Sequence, residues 1–321
     1  MSLTTREERA PRSRWTALAW AIPLAIVVVI GIIVLAQYIR LLPPVVAFMQ
    51  TYRGESELPA FAPVGFPAFV EWQHGLNSFF VLFIIRTGWD IRRKQRPTAF
   101  WIRRNEGRIT TAGAPVRIGI STWLHLAIDG LWVLNGILFY VLIFCTGQWT
   151  RIIPTSWDVF PNAVSTAIQY ASLYWPTADG WSNYNALQLI SYFVTVFVAA
   201  PLSIITGVRM MPGLALRLRR LDRVFPVAVA RGIHVIVMIY FVAFTIVHVT
   251  LVLTTGAIQN LNHMYAGRND SSLLGLGIFA LTVVLMVVLW IWAKPAIIAR
   301  LAGFTGNVRI APGTGKATPG L

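Results

Sequence analysis

Five histidines are the residues of this 321-residue chain whose type and spacing suggest a chemical site: His74, His125, His234, His248 and His263. Imidazole carries protons near neutral pH and is the commonest metal ligand among side chains. The first four fall inside long apolar runs, where a polar ring is costly and marks a functional site. His234 and His248 are 14 residues apart. On a helix turning ~100° and rising ~1.5 Å per residue they share one face, about 21 Å apart along the axis. Asp129, a carboxylate deep in such a run, follows His125 by one turn on the same face. It could relay protons or sit neutral between helices. The single cysteine, Cys145, excludes an intrachain disulfide framework and any thiolate metal cluster.

The elements that must position these residues are membrane helices. Hydrophobic residues make up 56% of the chain and charged ones 12%, and mean hydropathy is +0.64. A soluble domain carries roughly 25% charge, so an ordinary globular enzyme or a disordered chain is excluded. About 20 apolar residues cross ~30 Å of hydrocarbon. Six runs meet that length, at about 15–39, 67–89, 118–146, 186–208, 227–256 and 273–293. The first is too long and uninterrupted for a signal peptide. The expected fold is therefore an all-α integral membrane protein with about six transmembrane helices. Residues 15–303 form a single membrane domain, preceded by a basic tail over 1–14 and followed by a flexible tail over 304–321.

The net charge of +15 would suggest nucleic acid in a soluble protein, but here it records topology. Basic residues crowd the N-terminal tail, the connection from Arg86 to Arg117, the connection from Arg209 to Arg231 and the C-terminal segment. The opposite side keeps Arg40, Arg53, Arg151 and Arg268 among a larger number of acids. Cytoplasmic loops carry the Lys/Arg excess, so both termini are read as cytoplasmic. With spans alternating in direction, His74 and His248 meet at the outer level and His125 and His234 at the inner one. Two axial imidazoles from opposed helices are what a six-coordinate haem iron requires. Gly88, 14 residues after His74, and Gly136, 11 after His125, fall at the level of the other pair. A missing Cβ there clears space for a macrocycle. Arg231, Arg117 and Arg86 are candidates for contact with haem propionates.

At these positions the chain resembles the bacterial cytochrome b561 and nickel-hydrogenase cytochrome b superfamily. The resemblance runs from about Pro67 to Leu301. It is carried by QHGLNSFFVLFIIRTG at 73–88, His125 with TGQWTRIIP at 146–154, APLSIITG at 200–207, the spacing of His234 and His248, and NLNHMYAG at 260–267. It implies a four-helix core, flanked by N- and C-terminal helices, that binds two haem b through the pairs His74/His248 and His125/His234. It also implies electron transfer between a quinone and a catalytic redox subunit, most similar to b-type subunits of molybdopterin oxidoreductases, in a bacterial inner membrane. The extra helix at 15–39 makes the core start from the outer side, inverted relative to the formate dehydrogenase members.

A second class of reading stays open, a polytopic proton or metal-cation transporter using the membrane histidines and Asp129. The almost wholly apolar stretch Val235–Val247 between the two levels weighs against it. No nucleotide loop, metalloprotease helix or nucleophile elbow is present in usable context, and no connection is long enough for a soluble catalytic domain. His263, beyond the fifth span, is expected at an interface or against a partner. The aromatic connection from Gly147 to Tyr184 is expected to carry an interfacial helix over 160–175.

Overall fold

A computed structural model of the chain describes residues 14–93, 96–106, 110, 114–175, 180–214 and 219–311. All but the last residue of the basic tail expected over 1–14, and the tail from 312 onward, lie outside these residues. The chain is an all-α membrane protein, and among the described residues six helices are long and apolar enough to cross a bilayer: Ala19–Arg40, Ala68–Arg92, Ile120–Thr146, Ala186–Met210, Val227–Thr254 and Leu274–Trp292. The elements are α1 (Arg14–Arg40), α2 (Pro43–Thr51), α3 (Ala68–Arg92), β1 (Ala99–Arg103), β2 (Arg117–Gly119), α4 (Ile120–Thr146), α5 (Val159–Ala171), α6 (Ala186–Phe193), α7 (Ala200–Met210), α8 (Val227–Thr254), α9 (Ala257–Ala266), α10 (Leu274–Trp292), α11 (Pro295–Gly303) and β3 (Gly306–Ile310). Their outward faces are apolar and unburied, which is stable only with lipid as the solvent.

The chain divides into two compact units. The first comprises Met1–Glu57, Ser156–Ala178 and Asn185–Gln188. In it α1 and α2 pack on α5, the helix expected over 160–175. A hydrogen-bonded strap closes the unit. Gly54 N donates to Asn162 Oδ1 at 2.9 Å, Thr166 Oγ1 donates to Gly54 O at 2.9 Å, and Ser56 Oγ donates to Asp158 Oδ1 at 2.6 Å. Hydrogen bonds from Ser156 and Ser56 hold the Asp158 carboxyl below the usual carboxylate range.

The second unit comprises Leu58–Thr155, Asp179–Tyr184 and Leu189–Leu321. Here α3 packs on α4, α7 on α8, and α8 also on α3, while α9 joins α3 to α10. The helix that starts at α6 passes through a π turn, Val194–Ala199, into α7. Pro201 is the cause, since its ring has no N–H and crowds the carbonyl one turn back, which a widened turn accommodates. The Val196 carbonyl in that turn accepts from Tyr140 Oη at 2.6 Å.

Two features depart from the all-helical expectation. The connection after α3 and the segment after α11 join in an antiparallel sheet of order β2-β1-β3. Trp101 is opposite both Ile118 and Val308. The flexible tail expected from 304 therefore gives way to a strand over Gly306–Ile310. Beneath the sheet Ala99, Ile120, Ile298 and Ala302 form a buried cluster with Trp101 and Trp123. Trp101 Nε1 donates to Ala302 O at 3.2 Å and Trp123 Nε1 to Thr305 Oγ1 at 3.2 Å.

Candidate functional site

The four membrane histidines lie in the second unit and meet in two pairs. The His74 and His248 rings are 6.2 Å apart between centroids, and those of His125 and His234 6.4 Å apart. The shared helix α8 separates the two levels by 14 residues, about 21 Å of helix rise. The first pair sits where α3 begins and α8 ends, the second where α4 and α8 begin.

Around the second pair two helices repeat one dipeptide. Thr87–Gly88 on α3 faces His125, and Thr206–Gly207 on α7 faces His234. The hydroxyl of Thr87 lies 2.8 Å from His125 Nδ1 and that of Thr206 2.8 Å from His234 Nδ1. Each threonine directs its own proton to a carbonyl one turn back, Phe83 at 2.8 Å and Leu202 at 2.7 Å. Its oxygen therefore accepts from Nδ1–H, leaving Nε2 with the lone pair that binds metal. A Cβ on Gly88 would meet His125 Cε1 at 3.4 Å, and one on Gly207 would meet His234 Cε1 at 3.6 Å. Both glycines thus lie against an imidazole, where a Cβ would stand at ordinary contact distance. Thr87, Thr206 and Gly207 were not singled out from the sequence, although the repeated Thr-Gly was visible there.

The first pair is held by aromatic packing. Phe244 lies parallel to His248, centroids 5.5 Å apart and planes 6° apart, with Tyr192 on another side at 6.0 Å. Tyr265 of α9 meets His74 edge-on at 5.5 Å. Ser78 Oγ donates to the His74 carbonyl at 2.9 Å. His74 Nδ1 is buried and finds no hydrogen-bond partner among the described residues.

Asp129 turns toward the second pair, its Oδ2 3.5 Å from His125 Nε2. Gly136 has open space where a Cβ would stand. Arg86 donates to Trp290 O at 2.7 Å and Ala293 O at 3.1 Å, and its guanidinium lies 4.4 Å from the Trp290 ring centre. It closes the C-terminus of α10, whose last carbonyls have no partner within the helix. Arg117 lies 4.1 Å over the Phe100 ring on the sheet, and Arg231 is exposed on α8.

His263 is no surface residue, contrary to expectation. It is 5% exposed, hydrogen-bonds Asn269 Oδ1 through Nε2 at 2.8 Å, and packs against Phe66 and Trp181. The neighbouring Arg151, 2% exposed, donates to Gly65 O at 2.7 Å and Gly180 O at 2.8 Å. Its guanidinium is 5.0 Å from the Tyr184 ring. Burial pushes the Tyr184 hydroxyl up to about 12 despite that cation. The TGQWTRIIP and NLNHMYAG segments thus both pack on Phe66, through Arg151 and His263.

The spacing within each pair fits two imidazoles on one metal. Metal–nitrogen bonds of about 2.0–2.1 Å, with ring centres roughly 1.1 Å beyond the nitrogens, put facing centroids about 6.3 Å apart. No group of three or more His, Cys, Asp or Glu suited to a metal ion occurs among the described residues. Each pair thus sets two imidazoles at a spacing that one metal could bridge. No family model, curated protein or solved structure matches this chain.

Proposed function

We propose that this chain is a membrane dihaem cytochrome b that passes electrons between a quinone and a redox partner subunit, a molybdopterin-type oxidoreductase being the partner class the sequence resembles. On this reading it resides in a bacterial inner membrane with both termini cytoplasmic, and substrate is turned over by the partner. The observation that carries the proposal is the spacing of two separate histidine pairs, 6.2 Å and 6.4 Å between ring centres, on helices that cross the apolar layer.

His74 and His248 would hold one haem, and His125 and His234 the other. Bound haem supplies reversible one-electron chemistry, with potential set by axial ligands, hydrogen bonds to them and burial. The protein's part is to fix ring orientation and protonation. Thr87 and Thr206 keep the proton on Nδ1 and the lone pair on Nε2 of their histidines. Phe244 and Tyr265 fix the other two rings by packing. Asp129 is positioned to hold a proton beside the His125–His234 level.

A reduced-minus-oxidised spectrum of the purified chain, expressed with haem supplied, tests this. A b-type absorption band is expected, and its absence would remove the reading. The contact of Asp129 with His125 favours one alternative, a proton or cation path through the membrane. That path requires Asp129→Asn to abolish ion flux in vesicles, whereas a cytochrome retains both haems in that variant.

A further inference from the structure

The membrane helix α10 is 19 residues long, Leu274–Trp292. At ~1.5 Å per residue it rises about 28 Å, which only just matches ~30 Å of hydrocarbon. Trp292 therefore stands at the edge of the apolar layer. Trp290 and Trp292 are both exposed there, as aromatic rings at a membrane interface are. α11 begins three residues later, at Pro295, within about 11 Å of chain, so it starts in the headgroup region. Its buried face keeps it at that level. Ile298 and Ala302 pack with Ile120, the first residue of the membrane helix α4, and with Ala99 of β1. Arg104 Nη2 donates to Gly303 O at 2.8 Å and so ties the end of α11 to the sheet.

A second face of α11 is apolar and open. Ile297 is 38% exposed, Leu301 51% and Phe304 80%, and Phe304 keeps helical backbone angles. At ~100° per residue these three fall within about 60° of one another, a stripe distinct from the buried Ile298 and Ala302. Cations border it, since Lys294 precedes the first turn and Arg300 stands beside Leu301, both exposed. α11 and the three strands contain no acid, and the strands add Arg103, Arg117 and Arg309. The acids flanking β1 in sequence are Asp90, which is near Arg86, and Glu106, exposed beyond the end of the strand. A short helix with cations beside an apolar stripe lies in the interface plane and favours anionic lipid.

We propose that α11 is an interfacial helix that seats the β2-β1-β3 sheet on a leaflet of anionic phospholipid. Ile297, Leu301 and Phe304 enter the boundary between headgroups and acyl chains. Lys294 and Arg300 meet the phosphates through charge-assisted hydrogen bonds. The position of the stripe, three residues from the end of one span and against the start of another, favours lipid over a protein partner as its cover. This role needs neither haem nor a redox subunit.

The test is spin labelling of the full-length chain in a Cys145→Ser background, reconstituted in vesicles of dioleoylphosphatidylglycerol or of dioleoylphosphatidylcholine. A nitroxide is attached at Leu301→Cys, Phe304→Cys or Asn307→Cys. All three positions are exposed, and Asn307 is on the strand face away from Val308. In phosphatidylglycerol the labels at Leu301 and Phe304 are expected to collide more with oxygen, which concentrates in hydrocarbon, than with a water-soluble nickel chelate. The label at Asn307 is expected to show the reverse, and opposite readings at these sites mark a folded chain. In phosphatidylcholine the oxygen preference at Leu301 and Phe304 should fall several-fold, because the attraction of the two cations is lost. Lys294→Gln together with Arg300→Gln should erase the difference between the lipids. Labels at Leu301 and Phe304 that favour nickel would mark a face in water and overturn the proposal. So would shielding from both reagents, marking a protein on that face, or equal ratios in the two lipids.

Discussion

The hydroxyl of Thr87 on α3 lies 2.8 Å from Nδ1 of His125 on α4, and Thr206 on α7 stands at the same 2.8 Å from His234 on α8. Two helices thus treat the two members of one pair alike, while His74 Nδ1 in the other pair has no such partner among the described residues. An acceptor on Nδ1–H makes an imidazole a stronger donor to metal and favours the oxidised state. Thr87→Val or Thr206→Val should raise the midpoint potential of the haem at the His125–His234 level. The shift should be at most about 40 mV, the one-electron equivalent of ~1 kcal/mol. The other haem should stay unchanged. A spectroelectrochemical titration reads both at once, and equal shifts in the two would contradict the assignment.

The glycine beside each threonine has a separate signature. Added Cβ atoms on Gly88 and Gly207 would sit at 3.4 Å and 3.6 Å from the imidazoles, at ordinary contact. Gly88→Ala should therefore be tolerated, and even gain up to about 1 kcal/mol of helix stability. Gly88→Leu should push the His125 ring away and cost that level its haem. Haem content of the two variants checks this, and equal retention would show that Gly88 does not confine the ring.

Arg86 gives a prediction opposite to the one its sequence position suggests. A propionate partner would shift a haem potential when removed. The observed residue binds the Trp290 and Ala293 carbonyls. Arg86→Gln should therefore destabilise the protein by about 1–2 kcal/mol and leave both potentials in place. Thermal unfolding in detergent beside a redox titration separates these outcomes.

Burial beside Arg151 raises the Tyr184 hydroxyl from about 10 to about 12. The neutral phenol is the form the folded chain favours, so its contribution is complete below pH ~10 and is lost as pH rises through about 12. Alkaline unfolding followed by tryptophan fluorescence should steepen across that window, and Tyr184→Phe should flatten it. An identical alkaline limb in the variant would show that Tyr184 is not the group responsible.

The six spans were legible because a bilayer demands long apolar runs, and the bounds from sequence differ from those of the helices by only a few residues. The facing of His234 and His248 was legible because helix periodicity fixes it. What escaped involved partners distant in sequence. β1 finds β3 about two hundred residues away, and neither strand is long enough to announce itself. Arg86 caps a helix that begins nearly as far downstream. Thr87 looked like one more hydroxyl in a membrane helix, since nothing in its own neighbourhood shows that His125 faces it. The π turn was foreshadowed by Pro201, whose missing N–H disrupts any regular helix through it.

The most direct measurement is the haem content per chain, by pyridine haemochrome, of the wild type and of His248→Ala, His125→Ala and the double variant. Two haem b in the wild type, one in each single variant and none in the double are the expected values. A wild type without haem, or single variants that each keep or lose both, would contradict the two paired sites.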